Sequence, residues 1–352
     1  MNKGKVLLAT SALLLSAGVL VACSGGKSGS SGEQTFSYVY TQDPDTLDYS
    51  ISNKKSTSEF TGNAVDGLLE VDKYGNLIPS LAKDWTVSKD GLTYTYKLRK
   101  GVKWMTSEGE EYGGEVKAQD FVTGLKHAAD KKSSALYLVQ QSVKGLDDYV
   151  SGKTKDFSTV GIKAIDDYTV QYTLERPESF WNSKTTSGVL FPVNKAFLES
   201  QGKDFGSLKP SSILYNGPYY LKNLTSKSQI ELVKNKEYYD EKNVHIDHVK
   251  LTYNDGSDPE SVIKKFENGQ YSFATVMPNS STYKSVKKKF GDNIVYGVQY
   301  GTSYYLGFNI DRQKYNHTAK TTDAQKSSTK QAILNKDFRQ ALNFALDRES
   351  YA

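Results

Sequence analysis

Two segments with the same alternating pattern place the strongest limit on the fold of this chain. In both, large apolar or aromatic residues occupy every second position, at Leu92, Tyr94, Tyr96 and Leu98 in the first and at Tyr168, Val170, Tyr172 and Leu174 in the second. A period of two is typical of a strand that buries one face. Asp90-Gly91 is a hairpin turn that joins the first segment to Trp85-Thr86-Val87, and Asp166-Asp167 similarly follows residues 160–165. The sequence therefore predicts two hairpins of matching form in one antiparallel sheet.

Helical periodicity appears between the two hairpins and again in the last third of the chain. Residues 118–129 place Phe121, Val122, Leu125 and Ala129 on one helical face. A second helix is predicted after Asp258, its N-cap, with Pro259 in the first position and Gly269 beyond its end. The other predicted elements are helices at 281–290 and 337–346, strands at 35–40 and 271–277, and a β-type segment at 294–309. This mixture predicts an α/β fold.

The N-terminal residues have the form of an export signal. Lys3 and Lys5 precede an apolar run at residues 6–20, which is shorter than the roughly 20 apolar residues that a transmembrane helix needs. The run ends in Leu20-Val21-Ala22-Cys23, which resembles the lipobox of bacterial lipoproteins. That resemblance implies removal of a signal peptide, residues 1–22, and a diacylglycerol on the Cys23 thiol, which would anchor the chain durably. The alternative is an incidental cysteine in the leader.

The residues after Cys23 and the overall composition suit a protein held at a membrane surface. Gly and Ser dominate this stretch, so residues 23–33 are predicted to be a lipidated flexible tether. Cys23 is the only cysteine among 352 residues, which excludes an intramolecular disulfide and a cysteine-based metal site. The 45 Lys and Arg residues are interspersed with 40 Asp and Glu residues, so no nucleic-acid partner is expected.

No pattern of residues predicts catalysis, a metal ion or a cofactor. The chain has neither a Gly-x-Ser-x-Gly turn nor a Gly-rich phosphate-binding loop with its lysine. His245 and His248 are predicted to lie on a strand, where side chains three residues apart point to opposite faces. The acidic pairs Asp147-Asp148 and Asp166-Asp167 are expected at turns or helix ends rather than in acid–base chemistry. We therefore expect a protein that is not an enzyme.

A group of tyrosines late in the chain predicts ligand contact. Tyr300, Tyr304 and Tyr305 flank the small residues Gly301-Thr302-Ser303. Tyrosine offers a rigid apolar ring with a polar tip, and the small residues between the rings leave room for a ligand backbone. The alternative is packing within a strand, where tyrosine is also favoured.

Three blocks, in order along the chain, resemble one family. They are residues 79–104, which begin Pro-Ser-Leu-Ala-Lys-Asp-Trp, residues 216–222, which read Asn-Gly-Pro-Tyr-Tyr-Leu-Lys, and residues 305–309 together with 337–348. They resemble the family 5 extracellular solute-binding proteins, the dipeptide, oligopeptide and nickel receptors of ABC importers. In detail they are most similar to the oligopeptide-binding lipoproteins of streptococci. One departure is the longer, Glu- and Gly-rich loop at residues 105–116.

The resemblance implies a periplasmic-binding-protein-like α/β fold of type II, cluster C, in which crossing strands join two lobes. Lobe I would comprise residues 34–62 and 190–300, and an extra subdomain with the antiparallel hairpins would comprise residues 63–189. Residues 301–352 would form a crossing strand and the start of lobe II. Because the family continues well beyond its Arg-Gln-Ala-Leu block, we expect lobe II to be largely missing, as in a C-terminal truncation.

The resemblance also implies a function and a set of contact residues. A lipid-anchored, monomeric receptor at the outer face of the cytoplasmic membrane would capture oligopeptides by adding them to its strands and would deliver them to ABC permease subunits. The expected peptide contacts come from a loop, a strand and the crossing strand: Gln42, Asp43, Pro44 and Asp45; Phe273, Ala274, Thr275, Val276 and Met277; and Tyr300, Thr302, Ser303, Tyr304 and Tyr305. A nickel or haem receptor of the same family, and a surface adhesin or peptide-sensing lipoprotein without transport, stay open as alternatives.

Overall fold

A computed structural model describes residues 32–296, 305–315 and 318–348 of the chain. They divide into two compact units, of which the first ends at Ser285 and the second begins at Val286. The predicted signal peptide and the predicted lipidation residue Cys23 lie outside the described residues. Among the residues that the structure describes, no helix combines the length and the apolar character needed to cross a membrane.

Twelve strands are assigned in the described part of the chain, all of them in the first unit: β1 (Thr35–Tyr40), β2 (Leu69–Val71), β3 (Leu77–Pro79), β4 (Ala82–Val87), β5 (Thr93–Leu98), β6 (Lys103–Met105), β7 (Glu111–Glu115), β8 (Ile162–Asp166), β9 (Thr169–Thr173), β10 (Tyr219–Thr225), β11 (Gln229–Lys234) and β12 (His248–Tyr253). The α-helices of this unit are α1 (Lys55–Thr61), α2 (Ala118–Asp130), α3 (Leu146–Val150), α4 (Trp181–Lys184), α5 (Lys195–Gln201) and α6 (Pro259–Glu267). Helix α7 (Tyr283–Phe290) spans the boundary, and α8 (Asp323–Leu334) and α9 (Lys336–Ala345) belong to the second unit.

The first sheet has the strand order β1-β12-β11-β10 and joins residues that lie far apart in the sequence. β1 pairs with β12 in parallel, with Thr35 opposite His248 and Tyr40 opposite Tyr253, and the other pairs are antiparallel. One face of the sheet packs into a buried cluster that includes Tyr40, Leu221, Ile230, Leu232 and Leu251. The rings of Tyr40 and Tyr253 meet edge to face with their centroids 5.5 Å apart, which holds the ends of the two parallel strands together.

The second sheet confirms the prediction of two hairpins in one antiparallel sheet. Its strand order is β4-β5-β9-β8, so the hairpins meet along their inner strands, with Tyr94 opposite Tyr172 and Tyr96 opposite Val170. These four side chains are buried, and Phe121 and Leu125 of α2 belong to the same core. Residues between them, such as Thr95 and Lys97 of β5 and Gln171 of β9, alternate onto the opposite face. This sheet therefore has one buried face and one polar face.

Helix α2 confirms the helix predicted at residues 118–129, and close packing explains the glycine within it. A Cβ atom on Gly124 would lie 2.2 Å from the carbonyl oxygen of Phe191, a contact that no other residue could make without moving the backbone. In the first turn, Asp120 accepts hydrogen bonds from the backbone N–H of Lys117 at 3.0 Å and from Nε1 of Trp104 at 2.9 Å. Burial raises the pKa of this carboxyl to about 6, although both hydrogen bonds act to lower it.

Helix α6 confirms the capping pattern seen in the sequence. It begins at Pro259, and the side chain of Asp258 accepts a hydrogen bond from the N–H of Ser261 at 3.0 Å. Gly269 follows the helix with a φ of +71°, a conformation that glycine adopts without strain. Helices α7 and α9 likewise confirm the helices predicted at 281–290 and 337–346.

The second unit also contains α8, a helix that the sequence pattern did not predict. Thr322 and Gln325 form a capping box at its start. Arg339 of α9 donates from Nη1 to the carbonyl oxygens of Ile333 and Leu334, at 2.7 and 2.8 Å, and so satisfies two carbonyls at the end of α8. Helix α8 has a weak apolar face, which is why periodicity did not reveal it.

The strand predicted at residues 271–277 is wrong. The segment makes one backbone hydrogen bond to the free edge of β1, from Ser272 N–H to the Ser37 carbonyl at 2.7 Å. The Ser37 N–H donates to Oγ of Ser272 at 3.1 Å, and Oγ of Ser37 donates to the Gln270 carbonyl at 2.9 Å. Side-chain hydroxyls thus take the positions of ladder partners, so no strand pairing propagates.

Two other predicted β segments differ from the structure. Residues 294–296 and 305–309 form no strand, and the middle of the predicted 294–309 segment, residues 297–304, lies outside the described residues. The strand expected around His245 begins only at His248, so His245 lies in the loop before β12. The two ring nitrogens of His248 lie 3.2 Å from carboxylate oxygens of Glu231 and Glu33, which ties the start of the fold to the first sheet.

Asp66 is a buried carboxyl that joins segments of the first unit that are far apart in the sequence. Its Oδ2 accepts hydrogen bonds from the hydroxyls of Tyr238 at 2.9 Å and Tyr239 at 3.2 Å, and its N–H donates to Oδ1 of Asn216 at 2.7 Å. Burial raises the pKa of Asp66 to about 7, and the charge of Glu70 adds to the rise, while the tyrosine hydroxyls oppose it. The ionised form of Asp66 is therefore disfavoured in the folded protein.

Because the folded pKa is raised, the stability that protonated Asp66 contributes is fully present below the unfolded pKa of about 4 and is lost as the pH rises through about 7. We expect Asp66→Asn to gain stability relative to the wild type between pH 4 and pH 7, by up to about 4 kcal/mol. Urea unfolding of both proteins at several pH values measures this difference in the free energy of unfolding. Asp120 also has a raised pKa, but it is present in both proteins, so its contribution cancels in the difference. A difference independent of pH would contradict the assignment.

Candidate functional site

The carboxyl ends of β1 and β12 form one edge of the first sheet because these strands are parallel. The loop at residues 41–45 leaves β1 there, and residues 254–258 leave β12 there. The N–H of Asn254 donates to the Tyr40 carbonyl at 2.9 Å, which keeps the two exits together. In open α/β sheets, ligands bind outside the carboxyl ends of the strands. This edge, which carries the predicted contacts Gln42, Asp43, Pro44 and Asp45, is the candidate site.

Asp43 holds the loop to the turn between β10 and β11. Its carboxylate accepts hydrogen bonds from the Tyr40 hydroxyl at 3.0 Å, from Oγ of Ser226 at 2.6 Å and from the N–H of Lys227 at 3.1 Å. Burial by itself raises the pKa of Asp43, but the bonds from Ser226, Lys227 and Tyr40 outweigh it and lower the pKa below its ordinary value. Asp43 is thus an ionised anchor whose acceptor positions are occupied.

Asp45 holds the other end of the loop to helix α1. Its carboxylate accepts hydrogen bonds from Oγ1 of Thr57 at 2.9 Å and pairs with Nζ of Lys54 at 2.8 Å. Pro44, between the two anchors, is buried, whereas Gln42 is exposed. Of the four predicted contacts in this loop, Gln42 therefore has an exposed side chain that serves neither as an anchor nor as core. The carboxylates of Asp43 and Asp45 fix the backbone of the loop.

The second predicted contact segment alternates between half-buried and exposed side chains. Ala274 and Val276 are half-buried, whereas Phe273, Thr275 and Met277 are exposed. Phe273 and Met277 are 52% and 60% exposed, although both side chains are large and apolar. The segment leaves the free edge of β1 at Ser272, so it presents an apolar surface beside the same sheet as the loop.

The third predicted contact segment can be described only at its end. Tyr300, Thr302, Ser303 and Tyr304 lie outside the described residues. Tyr305 is described, lies in the second unit and is 88% exposed. The structure therefore brings the first two predicted segments to β1.

A cavity that the sequence did not reveal opens beside α1. It has a volume of about 270 Å³, and its lining contains hydroxyl, amide, aromatic and aliphatic groups but no charged side chain; the lining residues are Tyr49, Ser52, Asn53, Thr57, Ser58, Thr61, Gly62, Ala135, Tyr137, Leu138, Thr186, Ser187, Gly188, Val189 and Phe191. Thr57 both lines the cavity and bonds to Asp45, so the cavity adjoins the anchored loop. The lining comes from three separate stretches of the chain, which is why no local pattern pointed to it.

Several carboxylates elsewhere in the described residues accept structural hydrogen bonds. Within residues 32–296, 305–315 and 318–348, no group of three or more His, Cys, Asp or Glu side chains is arranged to hold a metal ion. Asp66 and Asp120, whose pKa values are raised most clearly among the carboxyls, accept structural hydrogen bonds in the interior. Asp147 and Asp148 lie in the first turn of α3, and Asp166 bonds to Thr169 and the N–H of Tyr168.

Comparison with known proteins identifies the family. The model of the bacterial extracellular solute-binding proteins, family 5 Middle, matches residues 76–352. This chain belongs to the family 5 bacterial extracellular solute-binding proteins. The oligopeptide-binding protein SarA of Streptococcus gordonii is 61% identical over 359 residues, which cover all of this chain and 54% of SarA. The oligopeptide-binding protein AliB of Streptococcus pneumoniae is 60% identical over 352 residues, with the same two coverages.

A solved relative confirms the predicted fold class. The substrate-binding domain of an oligopeptide ABC transporter from Bacillus anthracis matches with a TM-score of 0.66 and 27% identity, over 74% of this chain and 48% of that chain. The chain thus has the α/β fold of the periplasmic binding proteins and spans about half the length of the curated relatives it matches, in agreement with a partial two-lobe fold. These relatives are solute-binding proteins rather than enzymes.

We expect Asp43→Ala to lower the free energy of unfolding by about 2 kcal/mol at pH 7, because Tyr40, Ser226 and Lys227 would lose an acceptor. Since the folded pKa of Asp43 is lowered, its contribution is present above the unfolded pKa of about 4 and the difference should shrink as the pH falls below it. Urea unfolding of both proteins measures the effect.

The matched control is Gln42→Ala, which changes the neighbouring exposed residue and should alter stability by less than about 0.5 kcal/mol. Equal losses in the two variants would show that Asp43 is not the anchor of the loop.

Proposed function

We propose that this chain is the ligand-binding part of an ABC importer and captures oligopeptides outside the cell. The observation that carries the proposal is the uncharged cavity of about 270 Å³ next to a loop anchored at both ends. Identity of about 60% to oligopeptide-binding proteins along the whole chain supports the same conclusion. Hydroxyl, amide and aromatic walls accept many uncharged side chains, as a receptor for varied peptides requires.

The peptide backbone and the peptide side chains use different parts of the site. A bound peptide must have its N–H and C=O groups satisfied once water is excluded. Gln42 supplies an exposed amide in the loop, and Asn53, whose Oδ1 accepts from Oγ of Ser134 at 3.1 Å, supplies its amide N–H groups at the cavity. The segment from Phe273 to Met277 runs beside the sheet with its backbone outside any ladder. We assign backbone contact to these residues and to Ala274, Thr275 and Val276, and side-chain contact to the cavity.

The remaining predicted contacts belong to the proposal as well. Tyr300, Thr302, Ser303, Tyr304 and Tyr305 are proposed as further peptide contacts. The proposed division assigns residues 34–62 and 190–300 to lobe I and residues 63–189 to its extra subdomain, with lobe II beginning after residue 300. Closure of the second lobe over the first would then trap the ligand.

The N-terminal residues are proposed to hold the receptor at the outer face of the cytoplasmic membrane. The segment at residues 1–22 would direct export, Cys23 would carry the lipid, and residues 23–33 would hold the receptor beside its permease at the outer face of the membrane. A lipid on a tether confines the receptor near the permease, which raises its effective concentration there. A monomer suffices for this task because the tether, rather than an oligomer, provides the proximity.

Calorimetry with a random oligopeptide library should detect binding to this chain or to a chimera that continues it with the second half of Streptococcus pneumoniae AliB. We expect Tyr137→Ala to weaken the binding of a peptide chosen from that library roughly ten-fold, about 1.4 kcal/mol, because the ring borders the cavity. Tyr74→Ala is the control: Tyr137 and Tyr74 are 69% and 76% exposed, so neither truncation should change stability, and Tyr74 lies outside the cavity lining.

Peptide binding by the chimera alone would show that the second lobe is needed to trap the ligand. A chimera that is folded and binds no peptide would overturn the transport function and favour an adhesin or sensor. Binding of nickel or haem in place of peptide would favour the other receptors of the family.

Replacement of Cys23 should separate anchoring from folding. We expect Cys23→Ala to leave the protein unlipidated and to shift it from the membrane fraction to the medium, because the lipid would be lost while the folded part is unchanged. Membrane fractionation and mass spectrometry of the N-terminal peptide measure this, with Ser24→Ala as the matched control. A wild-type N-terminal peptide without a lipid on Cys23 would rule out the lipid anchor.

A further inference from the structure

The polar face of the second sheet contains a hollow that the proposed function does not use. It has a volume of about 630 Å³ and lies where β5 ends and β9 begins, lined among others by Lys83, Lys97, Lys100, Asp166 and Thr169. Lys97 alternates with the buried residues Tyr96 and Leu98, so its side chain belongs to the polar face. The hollow thus lies across the sheet from the core.

Two β-bulges shape this end of the sheet. In β4, Ala82 pairs with Leu98 and Asp84 with Lys97, which leaves Lys83 as an extra residue. In β8, the register shifts in the same way between Ala164 and Asp166. A bulge redirects side chains that regular alternation would place elsewhere, and bulges are frequent next to functional sites. The bulge in β4 accounts for Lys83 sharing the hollow with Lys97.

The ammonium groups around the hollow make their close contacts with uncharged groups. Nζ of Lys97 donates to Oγ1 of Thr169 at 2.8 Å, and Nζ of Lys100 lies 5.1 Å from the centre of the Tyr168 ring. Lys97 and Lys100 act on Asp166 through their charge, and Lys100 also acts on Glu115, but across the described parts of the chain neither they nor Lys83 form a direct ion pair. Asp84, opposite Lys97 in the sheet, accepts from the N–H of Trp85 instead.

The two aspartates at the hollow are already engaged. Asp166 accepts hydrogen bonds from Oγ1 of Thr169 and from the N–H of Tyr168, both at 2.8 Å. These bonds, followed by the charges of Lys97 and Lys100, lower the pKa of Asp166. Asp167 pairs with Lys117 at 2.6 Å. The lining therefore holds three lysines against two aspartates, one of which already pairs with Lys117, so the hollow has an excess of positive charge.

We propose that this hollow binds a phosphate group, either of a small soluble anion or of an anionic lipid headgroup. Lysine ammonium groups bind phosphate as point charges, and three of them converge here from β4, β5 and the turn that follows β5. A phosphate would satisfy donors that the protein leaves free. The site is independent of peptide capture because it lies on a different sheet from the anchored loop.

Isothermal calorimetry of the full chain with inorganic pyrophosphate, and flotation with vesicles of phosphatidylglycerol or of phosphatidylcholine alone, test the proposal and separate the two sources. Lys97→Gln/Lys100→Gln should weaken binding of the responding probe roughly ten-fold, and added salt should weaken it further. Lys89→Gln/Lys163→Gln is the matched control: it removes the same charge from two exposed lysines of the same sheet region outside the hollow. Circular dichroism verifies that both double variants are folded.

Pyrophosphate binding without vesicle binding assigns a soluble phosphate ligand. Selective binding to phosphatidylglycerol vesicles assigns a lipid headgroup. Either outcome supports the site when the Lys97/Lys100 variant loses affinity and the control variant does not. The proposal is overturned if the wild type binds none of the probes, or if the control variant loses as much affinity as the Lys97/Lys100 variant. The second result would mean that overall charge, rather than this hollow, attracts the anion.

Discussion

The parallel pairing of β1 with β12 is the contact on which the candidate site depends. It brings residues 35–40 against residues 248–253, and it sets the exits of both strands on one edge. The Tyr40 and Tyr253 rings pack at that edge, and the Tyr40 hydroxyl reaches Asp43 in the first loop. A parallel pair requires a long connection, and here the connection contains the whole second sheet. Residues 135–138 and 186–191 of this long connection therefore help to line the cavity.

Two carboxylates fix the conformation of the loop at the candidate site. Asp43 and Asp45 hold the loop at both ends, to the β10–β11 turn and to α1. Hydrogen bonds to a partly buried carboxylate hold it ionised and fixed in direction, as the lowered pKa of Asp43 reflects. A loop that is already fixed in one conformation loses less entropy when a ligand binds. Gln42 precedes the first anchor in the sequence, and the Thr57 hydroxyl at the cavity bonds to the second.

Local patterns in the sequence predicted local structure well. The hairpins, α2 and the capped start of α6 follow from periodicity and from residues such as Asp258 and Pro259, whose effects reach only a few positions. The predicted strand at 271–277 failed because pairing is a property of two segments. At the edge of β1, the hydroxyls of Ser37 and Ser272 compete for the ladder positions, and only the three-dimensional register reveals that competition.

The sequence alone identified the family and the two-faced antiparallel sheet, and it predicts the export and lipidation signals, because each of these patterns lies in contiguous residues. Only the tertiary structure decided what the predicted contact residues do. In the folded chain Asp43 and Asp45 anchor the loop, whereas Gln42, Phe273 and Met277 are exposed. The cavity is lined by three separate stretches, at residues 49–62, 135–138 and 186–191. The same holds for the lysine hollow, since a one-residue bulge places Lys83 beside Lys97. The physical reason is that burial, hydrogen-bond saturation and convergence of charge depend on distances between remote segments, which packing alone sets.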